Sequence, residues 1–594
     1  MTFRAPVDDI AFALREGAGM DEALAAGLYG DFGADDLEAV LAEAGRFAGD
    51  VIAPLNADGD RHGAALKDGR MTMPPGWKEA YTAWAAAGWN GLAAPASWGG
   101  QGLPRAVNAA CVEMWQSASM AFGIGPVLTM AGIDALAAHG SDALKAAYLE
   151  KLVTGAWMGT MQLTEPQAGS DVGALRTRAE RAGDGSYRLF GQKIFITYGE
   201  HDLTDNIVHF VLARLPDAPP GTKGISLFLV PKYLLNDDGT PGARNDVHAH
   251  SIEHKMGLHA SPTCTMVFGD EGGAVGYLIG REHAGMACMF TMMNEARLAV
   301  GLSGVAIAER ATQHALHYAR ERKQGRDEDT GGQGPVPIVQ HADVRRMLLT
   351  MQALTRAARA ICYATAIALD RAHLDSDESA RKAAQARAAL LTPVAKAFST
   401  DIGIEVASLG VQVHGGTGYI EETGAAQHYR DARIAAIYEG TNGIQAIDLV
   451  NRKLTLNDGA TVEDYIRDLR KIVQRLRAAN DPAFGASAAR LSEALDALEA
   501  ATHWLIAQLR NNPRAALAGA TPYLRLFGIA AGGCLLANEA LASIRINGNG
   551  DAATASRIGL ARFFAEQIAV QGQGLELAIV EGASSVLDTP LSGD

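Results

Sequence analysis

The chain has 594 residues, too many for one hydrophobic core, so several domains are expected. Its 48% apolar and 20% charged content is ordinary for a globular protein, and 52 basic against 67 acidic residues leave a net charge of −15. That acidity opposes nucleic-acid binding, which needs a basic footprint.

In chain order, residues 1–36 read as an N-terminal extension. Its opening stretch places Asp8, Asp9 and Glu16 where a signal peptide needs an unbroken apolar core, so a cytoplasmic location is expected. Residues 37–157 are alanine-rich and helical in pattern, broken by the Gly/Pro stretch PASWGGQGLP (Pro95–Pro104). Composition then shifts over residues 158–281. SYRLFGQKIFIT (Ser186–Thr197), NIVHFVLARL (Asn206–Leu215), GISLFLVP (Gly224–Pro231) and TCTMVFGD (Thr263–Asp270) are short runs rich in Val, Ile, Phe and Tyr, bounded by turn residues. Residues 236–246 read as a loop. No helical pattern separates the runs, so a β-barrel or sandwich is predicted rather than βαβ units.

The helical period returns over 282–455. A long helix is predicted over Thr291–Arg322, ending in the loop Gly325–Pro337. After it Val344, Met347, Leu348, Met351, Leu354, Ala358 and Ile361 form one apolar stripe. A further helical block fills 456–594, with Val462, Ile466, Leu469, Val473 and Leu476 on one face and Leu491, Leu495, Leu498, Leu505 and Leu509 on another. The fold class is thus α+β multidomain: helical, β, helical, then an additional helical domain. No run of 18 apolar residues is evident, so no membrane-spanning segment is expected. The five cysteines are scattered without a CxxC and read as buried thiols.

Neither G-x-G-x-x-G after a strand nor G-x-x-x-x-G-K-[ST] occurs. His248, His250 and His254 in HAHSIEH fit no standard zinc spacing, and no metal site is assigned. Four other stretches carry chemistry. MQLTEPQAGSDV (Met161–Val172) runs from a strand-like piece into a Gly-Ser turn that leaves amides free for an anion. GQKIFITYG ends a strand in Thr197, whose hydroxyl can donate to a ring nitrogen. GVQVHGGTGYIEE has the pair Gly415–Gly416, which lets a ligand approach the backbone. In IYEGTNGIQ, Glu439 precedes a short helix with Ile444, Ile447, Val450 and Leu454 on one face. Each stretch alone also suits an ordinary turn, and Glu439 alone suits a helix-end carboxylate as well as a base.

In this order the stretches resemble the acyl-CoA dehydrogenase family, FAD enzymes that desaturate acyl-CoA thioesters. The resemblance covers about 92–454 closely; APVDDIAFALRE and the block after 455 are similar to its larger, extended members. It implies an N-terminal helical domain, a middle β-domain and a C-terminal four-helix bundle. It implies Glu439 as the catalytic base for the α-proton. Cofactor contacts implied are Leu163, Thr164, Gly169, Ser170, Phe195, Thr197 and Thr441. Arg322, Gln412, Gly415 and Gly416 would hold the adenine half of an FAD seated in the neighbouring subunit. Ser170, Arg297, Tyr438 and Gly440 would face the substrate. Gln324, Gly325 and Arg326 depart from the pattern of several relatives, as do Ala96, Ser97 and Trp98. Glu165 and Glu422 are expected to be structural. Some relatives carry their base directly before the arginine matching Arg297; that position is Ala296 here, with Glu295 rotated about 100° round the helix.

Burial against a fatty chain and a flavin should outweigh the helix dipole and raise the Glu439 pKa once substrate binds. The resemblance further implies an electron-transfer flavoprotein as electron acceptor and a homodimer, since the extra helices would occupy the face that smaller relatives use to form tetramers. An oxidase using O2 and a non-catalytic acyl-CoA-binding scaffold stay open, as does the acyl group, which could be a fatty chain or 3-methylmercaptopropionyl.

Overall fold

The computed structural model describes residues 3–326, 334–548 and 550–591. The expected loop Gly325–Pro337 therefore lies largely outside the described residues. Its architecture is helical, then sheet, then helical, as expected.

The N-terminal part is built on two consecutive helices, α1 (Arg105–Ala118) and α2 (Met120–His139), parted by Ser119 in extended conformation. α2 is apolar nearly all round and is accordingly buried all round. Trp84 and Trp89 pack against Trp115 of α1, Trp84 edge-on with centroids 4.3 Å apart. One feature of this half was not expected, a small hairpin of Ala65–Lys67 with Arg70–Thr72.

The middle domain holds strands β1 (Met158–Gln162), β2 (Arg178–Arg181), β3 (Tyr187–Thr197), β4 (Ile207–Arg214), β5 (Ile225–Pro231), β6 (Val247–Ile252), β7 (Thr263–Phe268) and β8 (Ala274–Ile279). Their order is β6-β7-β3-β8-β5-β4-β1, with β2 pairing both β3 and β4. β3 serves two faces: residues 187–190 pair with β8 and β2, and 191–197 with β7. Gly191 sits where it switches, at φ +143°, and a Cβ there would meet Thr177 Oγ1 at 2.8 Å. The segment 236–246 is not all loop, because Tyr233–Leu235 and Pro241–Arg244 pair as a hairpin around its Asn-Asp-Asp-Gly turn.

The bundle comprises α3 (Gly285–Glu321), α4 (Ala342–Leu374), α5 (Glu378–His414) and the short α6 (Asn442–Asp448). α3 begins six residues before the expected Thr291, because Cys288, Met289, Met292 and Met293 continue its buried face. Asp370 of α4 accepts from the backbone amides of Arg105 and Ala106 at 2.8 and 3.0 Å, capping α1 and docking the N-terminal helices on the bundle. Beyond residue 456, Ala460–Ala479 and Ser487–Asn511 present the predicted leucine faces inward. A third helix, α7 (Ala520–Asn547), lies against α4 and α5. The ion pairs Arg387–Asp468 and Arg525–Glu405 stitch this block to α5.

Among the described residues two helices, α2 and α7, are long and apolar enough to cross a membrane. They are 83% and 78% buried inside the protein, as core helices are. All five cysteines are buried and unpaired.

Candidate active site

Glu439 stands on a short connection between a turn at Arg433–Ala436 and α6. Its own φ is +56° and that of Gly440 is +82°, so two successive residues occupy the left-handed region. For a glutamate this is uncommon and must be held from outside. Three side chains do so. Gln445 Nε2 donates to the Glu439 carbonyl at 3.1 Å. Lys396 Nζ, fully buried in α5, donates to the Gly440 carbonyl at 2.9 Å and to Asn442 Oδ1 at 2.8 Å. Asn442 in turn donates to Ala397 O, Thr400 Oγ1 and Asp401 Oδ1.

Burial pushes the Glu439 carboxyl up to about 7, against the opposing charges of Arg297 and Lys396. Desolvation thus already prevails in the protein alone, before any substrate adds to it. Burial likewise pulls Lys396 down to about 7. Arg297 on α3 is lowered by burial, while Asp448 and Glu439 favour its charge; its Nε has no hydrogen-bond partner among the described residues.

Next to Glu439, Ile437 and Tyr438 line a cavity of about 220 Å³. Phe195 and Thr197 at the end of β3 face into it, with Ile124 of α2 and Met256. Phe195 is 59% exposed, Met256 55% and Ile437 48%, so large apolar surfaces bound it without covering one another. That suits a flat aromatic ring: apolar faces to stack on, with hydroxyls such as that of Thr197 at the edge. Phe195 has φ +59°, which turns its ring out of the strand.

Leu163, Thr164, Gly169 and Ser170 lie on the loop after β1. Thr164 O accepts from Ile194 N at 2.9 Å, which ties this loop to β3 near Thr197. Glu165 is structural, as expected. Its carboxylate takes Lys193 Nζ at 2.8 Å, Thr177 N and Oγ1, and Arg176 N. Burial opposes its charge, but Lys193 and these donors hold it down at about 2. Gly169 and Ser170 are exposed, and a Cβ on Gly169 would meet nothing.

The remaining expected residues sit elsewhere. Arg322 ends α3, while Gln412, Gly415 and Gly416 end α5; all four are exposed, and Thr417 joins these helix ends through Tyr318 Oη at 3.1 Å. Along continuous α3, Arg322 lies about 37 Å from Arg297. The structure therefore gathers the predicted residues into two groups rather than one. Thr441 spends its hydroxyl on capping α6, accepting from Ile444 N at 3.2 Å. Glu295 does not approach Glu439 through any bond; it pairs with Arg105. His248 and His250 lie on β6, and among the described residues no group of three or more His, Cys, Asp or Glu is placed to hold a metal ion. Lys396 was missed by the sequence reading, although a lone lysine inside LLTPVAKAF was a visible signal.

A raised carboxyl beside a cavity, in a helical–sheet–helical chain, is the arrangement that the resemblance to acyl-CoA dehydrogenases implies. Comparison with known proteins agrees. The N-terminal, middle and C-terminal domain models of acyl-CoA dehydrogenases match residues 34–156, 160–270 and 283–454, and an "acetyl-CoA dehydrogenase C-terminal like" model matches 461–590. The chain is 48% identical to 3-methylmercaptopropionyl-CoA dehydrogenase of Ruegeria pomeroyi over the full length of both. It superposes on Caenorhabditis elegans ACDH-11 in complex with C11-CoA with a TM-score of 0.78 at 18% identity, covering 99% of this chain and 96% of that one. On Bacillus anthracis acyl-CoA dehydrogenase complexed with FAD the TM-score is 0.73 at 21% identity, covering 94% and 90%. The chain belongs to the acyl-CoA dehydrogenase family, and its cofactor is FAD.

Proposed function

We propose that this acyl-CoA dehydrogenase desaturates its thioester between the second and third carbons, with Glu439 taking the α-proton. The observation that carries the reading is Glu439 itself, a carboxyl lifted to about 7 and held in a left-handed turn beside the apolar cavity. A base works best with a pKa near the operating pH. FAD, when bound, supplies the acceptor for the β-hydride. Thr197 and Thr164 would hold its ring edge, Phe195 its face, and Leu163, Gly169 and Ser170 its phosphate side. The α-proton becomes labile only if the thioester oxygen is stabilised, and the backbone N–H of Glu439, turned by the left-handed φ, is the protein donor assigned to it. Arg297, Tyr438 and Gly440 complete the substrate wall around the base.

The 48% relative is named for 3-methylmercaptopropionyl-CoA, which makes that thioester the first substrate to test. An electron-transfer flavoprotein is the proposed electron acceptor, a homodimer the proposed assembly and the cytoplasm the proposed location. Glu439→Gln tests the base. The variant is expected to bind acyl-CoA and keep its flavin, yet to bleach it anaerobically about 10²–10⁴ times more slowly. Bleaching at the wild-type rate would remove Glu439 from the reaction. Hydrogen peroxide released at the turnover rate in air would replace the dehydrogenase reading by an oxidase.

A further inference from the structure

A second cavity, of about 40 Å³, follows the first along α2 and is bordered by α3 as well. On α2, Ile124 faces the larger cavity, whereas Val127, Ala131 and Asp134 line the smaller at successive turns of one face. On α3, Ala299 and Glu295 border it, flanking the turn that carries Arg297. Ile124 and Val127 lie one turn apart on α2, so an acyl chain that follows α2 out of the first cavity would run into the second.

Its near wall is apolar, with Val112, Val127 and Ala299. Its far end is polar. Arg105 bonds Asp134 at 2.7 Å and pairs with Glu295, and Asp370 stands behind them on the same Arg105 backbone. Asn90 and Asn108 each bring a side-chain oxygen that has no partner among the described residues. Asn90 is 2% exposed, and its nitrogen is committed to Leu152 O at 2.6 Å, which leaves the oxygen for the cavity. The space suits about three water molecules, which can donate to these oxygens. A hydrocarbon cannot. A chain pushed in would expel that water, orphan two acceptors and strip solvent from a partly buried ion cluster.

We propose that this polar floor ends the acyl pocket, so that Asn90, Asn108 and the Arg105–Glu295 pair restrict the enzyme to short acyl groups, butyryl-sized rather than octanoyl-sized. The inference rests on the acyl-CoA reading above and adds its chain-length limit. It is tested on the FAD-loaded enzyme with butyryl-, hexanoyl-, octanoyl- and dodecanoyl-CoA, taking kcat/KM for each. The wild type is expected to lose about tenfold or more from butyryl to octanoyl. Asn108→Leu, which replaces an acceptor by hydrocarbon of similar size, is expected to shrink that ratio by about tenfold. Glu295→Met is the second variant, expected to act in the same direction if Asn108→Leu fails to fold. Equal kcat/KM from butyryl to dodecanoyl in the wild type, or an unchanged ratio in a folded variant, overturns the proposal. Turnover of none of the four, nor of 3-methylmercaptopropionyl-CoA, overturns the acyl-CoA reading and the length limit with it.

Discussion

At the scale of single residues, the site is a contest between burial and two cations. Desolvation lifts Glu439 from 4.5 to about 7, while Arg297 and Lys396 resist it. The working form is the carboxylate, so kcat/KM should fall about tenfold per pH unit below about 7 and level off above it. Removing the buried ammonium by Lys396→Met takes away one resisting charge. The acidic limb should then move to higher pH, by up to about one unit, and Lys396→Arg should bring it back. A Lys396→Met enzyme that loses rate equally at every pH, with its limb in place, would make Lys396 a strut for the Gly440 carbonyl and nothing more. Folding gives a second reading of the same charge. A carboxyl whose pKa is higher folded than unfolded costs stability as pH rises from 4.5 to about 7. Glu439→Gln should therefore raise Tm at pH 8, where the cost is on the order of 3 kcal/mol, and leave it nearly unchanged at pH 4.

At the scale of elements, periodicity was enough wherever one face is buried against one neighbour. The stripe Val344–Ile361 became α4, and the runs Ser186–Thr197, Asn206–Leu215, Gly224–Pro231 and Thr263–Asp270 became β3, β4, β5 and β7, each to within two residues. It failed where local bonds outrank the apolar pattern. Ile444, Ile447, Val450 and Leu454 were expected on one face of α6, yet Ile447 is 37% exposed while Gln445 and Leu449 are buried. Gln445 is pulled inward by the Glu439 carbonyl, and the turn Leu449–Lys453 closes through Leu454 N to Leu449 O, which adds a residue and resets the face. Glu439 stood out by its motif as the proposed base, whereas the lysine that clamps its turn did not, because Lys396 lies 43 positions earlier in sequence. The clamp makes Gly440 specific. At φ +82° an alanine there is strained, and its Cβ would lie 2.7 Å from Gln445 Nε2. Gly440→Ala should therefore lower the flavin bleaching rate at least tenfold while far-UV circular dichroism stays native; an unchanged rate would show that the turn does not set the base.

At the scale of the whole molecule, the residues expected to contact FAD fall into two groups that lie far apart. Phe195, Thr197 and Tyr438, the last adjacent in sequence to Glu439, line the larger cavity, whereas Arg322, Gln412, Gly415 and Gly416 lie at the C-terminal ends of α3 and α5. Arg322 lies about 37 Å along α3 from Arg297, whose charge is coupled to that of Glu439. If both groups hold FAD, each flavin is seated in one subunit and its adenine end on another, and the active unit is at least a dimer. Hybrids decide this. Glu439→Gln spoils the base, and Arg322→Glu places a like charge beside the expected diphosphate. Each variant alone should be inactive or flavin-poor. Co-expressed with different tags and purified as the mixed dimer, they meet in two combinations. One site inherits both defects, and the other pairs an intact Glu439 from one chain with an intact Arg322 from its partner. The mixed dimer should therefore recover about half the wild-type rate, from one working site in two. A mixed dimer as inactive as its parents would mean that each chain binds its FAD alone, and the exposed glycine pair at the end of α5 would need another ligand.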